Sequence, residues 1–462
     1  MHKRIAGSVI YPLQERLLGR PTFGVWKLLE ATQWLSREAL VEHQRVRLNQ
    51  LLGEALAHSP WHARRLHEAG LTAAVRANRL ELAAFRSLPT MDKTDARTHR
   101  EKMVWSAVPG GAHRYTTGGS SGEPLIFYFG RDRQAADAAT RFRGRRWWGV
   151  EPGARELYLW GAPVELGRTD RLKSLRDSLI NHRILNAFAM SAERMDEYLE
   201  IIRRWRPESL YGYASSLALL AAHARSRGQR SVAPGLKVVC TTGEPLYPYQ
   251  RSLLEEVFRA PVANEYGCRD GGLIAHEAPG GQMLVTDECC LIEVLDDAGQ
   301  PVAPGVEGEL VLTGLYSRAQ PFIRYRTGDR VTLAGEPAAM GRGLSVLGNI
   351  AGRQTDYVVR SDGTVMHALS LIYVLRERPG VAAFKCVQHS PTYVEVQIVP
   401  SPEWSGSEAE AIRAGLRLRL GDVEIHLQLR DEIPPEASGK HRYVVSHVGL
   451  PSRYDGLLPS QT

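Results

Sequence analysis

The feature that most constrains this sequence is a regular alternation of short apolar runs with amphipathic stretches between residues 156 and 258. The runs "ELYLWG" (156–161) and "LKVVCTTGEPL" (236–246) are predicted strands, the second running into a loop. Helical periodicity marks three further stretches, 192–205, 215–228 and 250–258. Strands that alternate with helices form a largely parallel sheet covered by helices, so this part of the chain is predicted to be an α/β domain.

The segments on either side follow other patterns. Residues 26–83 carry apolar residues at helical spacing, broken near Ser59-Pro60 and Gly70. From residue 282 the pattern changes to strands and turns, and the tail is long enough for a small α+β domain. We predict an N-terminal domain of residues 1–354 and a small, mobile C-terminal domain of residues 355–462. The first would consist of a helical start (26–83), an α/β core (110–280) and an associated β-rich subdomain (282–350).

Composition excludes several classes of protein. A chain of 462 residues with 43% hydrophobic and 24% charged residues is typical of a globular protein with more than one core. No apolar run approaches the ~20 residues of a bilayer span, and "MHKRIAGSVIYPLQERLLGR" is predicted to be a surface helix or turn rather than a signal peptide. The formal charge of +7 comes without a dense basic block, so no nucleic-acid partner is expected. Five cysteines, an odd number, indicate reduced thiols and a cytoplasmic setting.

A loop rich in glycine and hydroxyl groups, "YTTGGSSGEPLIFYF" (115–129), is the first candidate site. Glycine lets the backbone approach an anion, which N–H and hydroxyl groups can then bind. The stretch alone leaves three interpretations: an ordinary turn, a serine nucleophile at Ser120, and a phosphate-binding loop. Pro124 and the strand-like run after it oppose the nucleophile, because a nucleophile elbow leads from a strand directly into a helix. Glu123 stands where a Walker loop would need a lysine.

Four later stretches have the same character and follow in a defined order. They are "NEYGCRDGG" (264–272), "YRTGD" (325–329), "GRQTD" (352–356) and "PPEASGKHRYVVS" (434–446). Each alone usually means an ordinary loop or turn. In this order, and with "ATQWLSREALVEHQ", "GYASSLALLA" and "CTTGEPL", they resemble the adenylate-forming superfamily, specifically the phenylacetate–CoA ligase family in its CapK-type branch. The resemblance extends from about residue 30 to residue 447.

The resemblance implies an ATP-dependent acid ligase. A small-molecule carboxylic acid would attack the α-phosphorus of ATP and expel pyrophosphate with the help of Mg²⁺, so the site must supply donors and cations to phosphate oxygens. The acyl group would then pass to coenzyme A or, in the alternative, to an amine or a carrier protein. A serine hydrolase using Ser120 and a non-catalytic nucleotide-binding protein are rival classes. The enzyme is expected to be a monomer or homodimer without a membrane span.

The resemblance also implies which residues bind the nucleotide. The phosphate loop corresponds to Thr116, Thr117, Gly119, Ser120, Ser121 and Gly122. Further nucleotide-binding positions are Gly243, Glu244, Pro245, Glu265, Tyr266, Gly267, Asp329 and Arg353. Of these, Tyr266 matches the aromatic residue that packs on adenine, and Asp329 matches the carboxylate that binds both ribose hydroxyls. Arg353 would support the ribose or a phosphate from the hinge.

Three residues would take part in the chemistry. Asp270 stands where the family usually has a Mg²⁺-binding glutamate, and it offers the same hard oxygen ligands. Arg269 replaces a threonine that contacts the α-phosphate in relatives. Lys440 would reach the α-phosphate and the carboxylate from the small domain as a mobile point charge. The acid expected in the hinge is displaced by one residue, which leaves Thr355 and Asp356 both open as the pivot.

The acyl pocket and the cysteines are less constrained by sequence. The resemblance places the pocket at Trp160, Tyr213, Ala214, Gly243 and Gly271, although Trp160 fits ordinary core packing equally well. Cys268, His276, Cys289 and Cys290 lie within 23 residues, which raises the question of a structural zinc site. Adjacent residues of a strand point to opposite faces, so Cys289 and Cys290 are better interpreted as core thiols.

Overall fold

The computed structural model describes residues 2–116, 125–161, 176–188, 190–230, 232–351, 357–376, 378–433 and 443–449. Its α-helices are α1 Lys3–Ile5, α2 Tyr11–Leu17, α3 Thr22–Thr32, α4 Arg37–His58, α5 Pro60–Glu68, α6 Thr72–Arg76, α7 Leu82–Phe85, α8 Lys93–Thr98, α9 Arg100–Met103, α10 Arg131–Trp147, α11 Ala192–Trp205, α12 Ala214–Ser226, α13 Pro248–Phe258, α14 Leu369–Arg376 and α15 Gly406–Leu420. A π-helical segment, Ala6–Ile10, joins α1 to α2, and a 3₁₀ turn lies at Ala339–Gly341.

The strands of the described residues are distributed over four sheets. They are β1 His113–Thr116, β2 Ile126–Phe129, β3 Glu156–Trp160, β4 His182–Asn186, β5 Ser209–Gly212, β6 Val238–Thr242, β7 Val262–Cys268, β8 Gly272–Glu277, β9 Met283–Val285, β10 Cys290–Leu295, β11 Gly308–Gly314, β12 Tyr325–Leu333, β13 Val346–Ala351, β14 Tyr357–Val359, β15 Val365–His367, β16 Val381–Ser390, β17 Tyr393–Pro400, β18 Glu424–Leu429 and β19 Val444–Ser446. Strands β1 and β2 pair as a separate antiparallel ribbon. We call residues 2–351 the N-terminal region and residues 357–449 the C-terminal region.

One large sheet organises the N-terminal region. Within the described chain its order is β10-β11-β12-β13-β9-β8-β7-β6-β5-β3-β4. The strands from β4 to β7 pair in parallel, and every pairing from β7 to β10 is antiparallel. The predicted α/β class is confirmed. The β-rich stretch expected as an associated subdomain continues the same sheet, because β8 turns back directly after β7 and β9 pairs with β8.

The parallel half forms where sequence predicted it. Strands β5 and β6 are buried along their whole length, as expected for a parallel sheet covered on both faces. The predicted helices appear as α11, α12 and α13, and the Ser191 side chain caps α11 by accepting from the Arg194 amide. The predicted break at Ser59-Pro60 is also present, with Pro60 as the first residue of α5. No helix of the described ranges is apolar over enough length to cross a bilayer.

The C-terminal region has its own sheet and core. Strands β18, β17, β16 and β19 form a four-stranded sheet, and α14 and α15 pack against the same apolar core. The β14–β15 hairpin contributes to two cores: Tyr357 and Val365 belong to the core under α12, whereas Val358 and Met366 belong to the C-terminal core. The predicted boundary after residue 354 lies outside the described residues, so it remains a prediction, as does the mobility of the small domain.

Candidate active site

The predicted site residues of the parallel half share one edge of the sheet. Trp160 ends β3, Tyr213 follows β5, Gly243 follows β6 and Tyr266 lies near the end of β7. These four strands are neighbours in the sheet, and the residues stand at their carboxyl ends. Open α/β sheets bind ligands in the crevice at this edge.

Two aromatic rings form a wall at this edge. Trp160 stacks on Tyr213 with a centroid distance of 4.3 Å and an interplanar angle of 17°. Gly243 has a left-handed φ of 80°, and a Cβ there would lie 3.3 Å from the Tyr213 ring. Glycine therefore permits both the left-handed turn and the close approach of the Tyr213 ring. Burial, with a contribution from Tyr373, raises the pKa of Tyr213 well above its usual value of 10, so the hydroxyl stays protonated.

The loop after β6 is held against α12. The Glu244 carboxylate accepts a hydrogen bond from the Ser215 amide in the first turn of that helix. A carboxylate is favourable at a helix N-terminus because the first amides have no partner within the helix. Ala214, the first residue of α12, is fully buried, and Pro245 continues the loop towards α13. In this arrangement Glu244 positions the loop beside Tyr213.

The predicted adenine and ribose residues are in direct contact. The Tyr266 hydroxyl donates to Asp329 Oδ2 at 2.8 Å. Three strands separate β7 from β12 in the sheet order, so this contact requires the antiparallel half to curl on itself. The curl encloses an apolar cluster that includes Ile274, Leu312 and Val331. "YRTGD" therefore lies within β12, rather than in a turn at the end of a strand as predicted.

The turn between β7 and β8 is firmly held. "NEYGCRDGG" was predicted as a loop, but only residues 269–271 lie between the two strands. Asp270 is 4% exposed; its Oδ2 accepts from the Tyr325 hydroxyl at 2.6 Å and its Oδ1 from the Gly271 amide at 3.2 Å. Arg133 donates to the carbonyl oxygens of Asp270 and Arg269 at 2.6 and 3.0 Å.

Glycines let this turn pack closely. A Cβ at Gly271 would collide with Leu312 and Cys268, and one at Gly267 would collide with the Gly272 carbonyl. Gly271 therefore lies against the curled sheet, and its place in the acyl pocket stays a prediction.

Arg269 joins three parts of the molecule. Its Nη1 donates to the carbonyl oxygen of Thr116 at 3.0 Å, where β1 enters the predicted phosphate loop. Its Nη2 donates to the Tyr373 hydroxyl on α14 at 3.2 Å. The guanidinium is exposed, so it presents a cation at the junction of the loop, the β7–β8 turn and the C-terminal region.

Glu265 lies beneath the site in a buried network that sequence did not reveal. It is 4% exposed and accepts from the Tyr211 hydroxyl at 2.6 Å. Burial by itself would raise the pKa of Glu265, but the guanidinium of Arg141 holds that pKa below its usual value. Arg145 lies 4.7 Å from the centroid of the Tyr211 ring and pairs with buried Glu156. Glu265 thus belongs to the buried network beneath β7, and its role in nucleotide binding stays a prediction.

Several predicted site residues lie outside the described residues. They are Thr117, Gly119, Ser120, Ser121, Gly122, Arg353 and Lys440, together with the candidate pivots Thr355 and Asp356. Their roles remain predictions.

Comparison with known protein families decides the relationship. Residues 184–317 match the AMP-binding enzyme family, and residues 358–447 match the CapK C-terminal domain. The chain belongs to the adenylate-forming superfamily, in its CapK-type branch. It is accordingly an enzyme of the AMP-forming acid ligase class, which removes the serine hydrolase on Ser120 as a rival.

Individual relatives of this adenylate-forming enzyme support the same family assignment. Protein CapK of Staphylococcus aureus is 22% identical over 80% of this chain and 82% of its own length. A phenylacetate–coenzyme A ligase of Thermus thermophilus is 26% identical over 70% of this chain and 73% of its own length. A solved 2-hydroxyisobutyryl-CoA ligase in its postadenylation state has a TM-score of 0.56 at 20% identity and covers 90% of this chain and 91% of that chain. The structural likeness shows that the fold is shared.

Two metal ions were considered from the sequence, Mg²⁺ at Asp270 and zinc at the cysteines. A Mg²⁺ ion that arrives on ATP keeps most of its ligands from phosphate and water, so one carboxylate suffices. Asp270 has this chemistry: its carboxylate offers hard oxygen ligands, and these oxygens accept hydrogen bonds from the Tyr325 hydroxyl and the Gly271 amide. For zinc, the residues that the structure describes contain no group of three or more suitable side chains. Cys289 and Cys290 are buried in two different apolar clusters, which confirms that they are core thiols.

Three contact residues of this adenylate-forming site were missed by sequence. Tyr325 is the first residue of the "YRTGD" motif, where a hydroxyl in a motif with an acid could have suggested a partner for Asp270. Arg133 is one arginine among many on α10 and gave no distinguishing signal. Tyr373 lies in an apolar helix of the other region, and only the fold brings it to Arg269.

Proposed function

We propose that this enzyme activates a carboxylic acid with ATP and transfers the acyl group to the thiol of coenzyme A. The observation that carries the proposal is the contact of Tyr266 with Asp329 at 2.8 Å. It joins an aromatic ring and a carboxylate, the two groups needed for adenine and ribose, at the ligand-binding edge of the sheet. The relatives named as phenylacetate–coenzyme A ligases support the choice of acceptor.

The first half-reaction would take place between the Arg269 turn and the aromatic wall. A carboxylate oxygen of the acid attacks the α-phosphorus, the bond to the bridging oxygen of the β-phosphate breaks, and pyrophosphate leaves. Arg269 and Lys440 would stabilise the negative charge on the α-phosphate oxygens, and the hydroxyls of residues 116–121 would donate to the departing phosphates. Mg²⁺, held on one side by Asp270, would neutralise phosphate charge when bound. The acyl portion would lie against Trp160 and Tyr213.

In the second half-reaction the thiolate of coenzyme A would attack the acyl carbonyl carbon, and AMP would leave with its electron pair. One site would then serve two chemistries, which calls for a different position of the C-terminal region in each. The hinge is proposed to lie at residues 352–356.

A second acceptor class is favoured by one specific observation. The C-terminal region matches the CapK C-terminal domain over residues 358–447. This region would present the acceptor, and transfer to an amine or a carrier protein is therefore the alternative. The activated acid and its adenylate would be the same in both cases.

The two steps can be tested separately. We would first screen aryl, fatty and amino acids for exchange of labelled pyrophosphate into ATP, with and without Mg²⁺. Exchange with at least one acid is expected, and a panel without exchange from a protein that binds no ATP would refute the proposal. The active acid would then be offered with coenzyme A, with amines or with carrier proteins. A thioester of coenzyme A as the main product is expected, whereas an amide or an acylated carrier would establish the alternative.

A further inference from the structure

Four large apolar side chains form an exposed row on the N-terminal helix, which comprises α1, the π-helical segment and α2. Ile5, Val9, Leu13 and Leu17 are 50%, 58%, 55% and 79% exposed. A spacing of four residues would drift by roughly 120° around a regular α-helix over this row. The π-helical segment Ala6–Ile10 contains wider turns and so reduces the drift. The four side chains therefore share one face.

The opposite face fixes this helix to the protein. Tyr11 is buried and packs edge-on against Phe142 at 5.2 Å between ring centroids. Gly7 lies so close to the Pro152 carbonyl that a Cβ would collide with it. Because this side is tightly packed, the apolar row is a constant feature of the surface and not a loose arm.

A basic cavity adjoins the start of the helix. It measures about 500 Å³ and is lined by Lys3, Arg155 and Arg206 together with one acid, Glu208. Lys3 Nζ and Lys237 Nζ both contact Glu208 Oε2, at 2.6 and 2.8 Å. Three cations and one carboxylate thus line the cavity, and Lys237 also pairs with that carboxylate, so the lining carries excess positive charge for an anion.

The cavity and the candidate active site lie at opposite edges of the large sheet. Arg155 and Glu208 immediately precede β3 and β5, at the amino ends of these strands. Trp160 and Tyr213 mark the carboxyl ends of the same strands. A partner bound at the cavity would therefore leave the substrate entrance free.

We propose that the apolar row, together with the basic cavity at the start of the helix, binds an anionic lipid surface. The apolar row lies at the boundary of the acyl chains, and the basic cavity takes a phosphate headgroup, the combination by which amphipathic helices bind membranes. A second copy of the chain fits less well, because a symmetric dimer presents the same patch from both subunits and so offers the basic cavity no acidic partner.

The full-length protein should co-sediment with vesicles made of equal parts phosphatidylglycerol and phosphatidylcholine, and much less with pure phosphatidylcholine. Binding should weaken as salt is raised, because the cavity acts through charge. Equal sedimentation with both vesicle types, or none with either, would overturn the proposal.

Two pairs of variants separate the apolar row from the cavity. Leu13→Asp should reduce binding to anionic vesicles by about tenfold or more, whereas Leu418→Asp, at a site 61% exposed on α15, should not. Arg206→Ala should reduce binding about fivefold. Arg259→Ala is its matched control, because both arginines are left-handed C-caps of helices, with φ of 51° and 54°, and only Arg206 lines the cavity.

Other occupants give different results. If Leu13→Asp bound anionic vesicles as well as the parent protein, the apolar row would not contact lipid and the proposal would be wrong. If the parent ignored vesicles but formed a dimer by light scattering that Leu13→Asp dissociated, the occupant would be a second copy of the chain. Pyrophosphate exchange should be unchanged in Leu13→Asp in every case, which also confirms that the variant is folded.

Discussion

The N-terminal and C-terminal regions differ in what their cores contain. In the N-terminal region many charged side chains are buried, among them Arg143 with Glu288 and Arg145 with Glu156. In the C-terminal region, no charged side chain that the structure describes is buried, and the core consists of aliphatic and aromatic residues with a few neutral polar groups.

This difference separates two ways of placing functional groups. Buried charges are costly unless every partner is in position, so a network such as Arg145, Glu156 and Tyr211 tolerates few arrangements. That network lies directly beneath Trp160 and Tyr266. An apolar core keeps its fold without dictating how the region is oriented. The C-terminal region meets the N-terminal region through apolar packing of Tyr357 and Val365 and through bonds such as that from the Tyr357 hydroxyl to the Ser215 carbonyl at 2.8 Å.

The largest effect should come from disrupting a buried pair. Glu156→Gln leaves Arg145 buried without its counter-charge, which typically costs ~3–5 kcal/mol in the free energy of unfolding. We would measure the first unfolding transition in guanidinium chloride. Glu410→Gln, at the exposed Arg413 pair on α15, is the matched control in the other region and should leave the transition unchanged.

The same variant has a defined pH dependence. Burial would raise the pKa of Glu156, but Arg145 holds it below the ordinary 4.5. A depressed carboxyl pKa contributes stability above the ordinary value and loses it as pH falls through the folded-state value. The difference between parent and Glu156→Gln should therefore shrink below pH 4.5. A difference that stayed constant into the acid range would show that the ion pair is not the source of the stability.

The next largest effect should come from the C-terminal region. Lys440→Ala should slow acyl-adenylate formation by ~10²-fold or more, the scale seen when one preorganised donor is removed. Transfer from a supplied acyl-adenylate should be nearly intact, because the lysine is needed only in the first step. Lys385→Ala, on β16 of the same region, should change neither step.

The hinge offers the reciprocal experiment. Thr355→Pro or Asp356→Pro should spare pyrophosphate exchange and block acyl transfer, since a fixed φ prevents the pivot from turning. Equal loss of both steps in Lys440→Ala would mean that one static arrangement serves both reactions.

Loss of the predicted ribose contact at Asp329 should have a smaller effect, on the KM for ATP. Asp329→Ala removes charge-assisted hydrogen bonds worth ~1.5–3 kcal/mol each and should raise the KM for ATP at least about tenfold. Asp329→Asn retains an acceptor for the Tyr266 hydroxyl and should lose less. Asp297→Ala, at a carboxylate whose side chain is 95% exposed, should have no effect. An unchanged KM in folded Asp329→Ala would rule out the ribose role.

Sequence predicted the elements that local patterns specify, but not the contacts that depend on the whole fold. Strands β3 and β6 and helices α11 to α13 were predicted because local apolar patterns specify them, whereas β4, β5 and β7 were not predicted as strands. The motif order identified the superfamily. The contact between Tyr266 and Asp329 was beyond local pattern, because it depends on how the antiparallel half curls around Leu312 and its neighbours. The buried arginines of α10 were also beyond it, since a helix so rich in arginine resembles a solvent-exposed one until its partners are known.

The smallest expected effect is the most direct test of how the two regions meet. Tyr373→Phe retains the ring, which lies 5.6 Å from that of Phe188, and removes only the hydroxyl that accepts from Arg269. One such hydrogen bond is worth ~0.5–1.5 kcal/mol, so the rate of the affected half-reaction should change about two- to tenfold.

The effect should fall on one half-reaction. If the bond belongs to one of two positions of the C-terminal region, its loss changes the step carried out in that position and leaves the other alone. Pyrophosphate exchange and acyl transfer would be measured on Tyr373→Phe and on Tyr393→Phe, a tyrosine on β17 remote from Arg269. Equal changes in both steps would place the bond in a fixed interface. The C-terminal region would then be positioned as rigidly as the core beneath Tyr266, although none of its described charged side chains is buried.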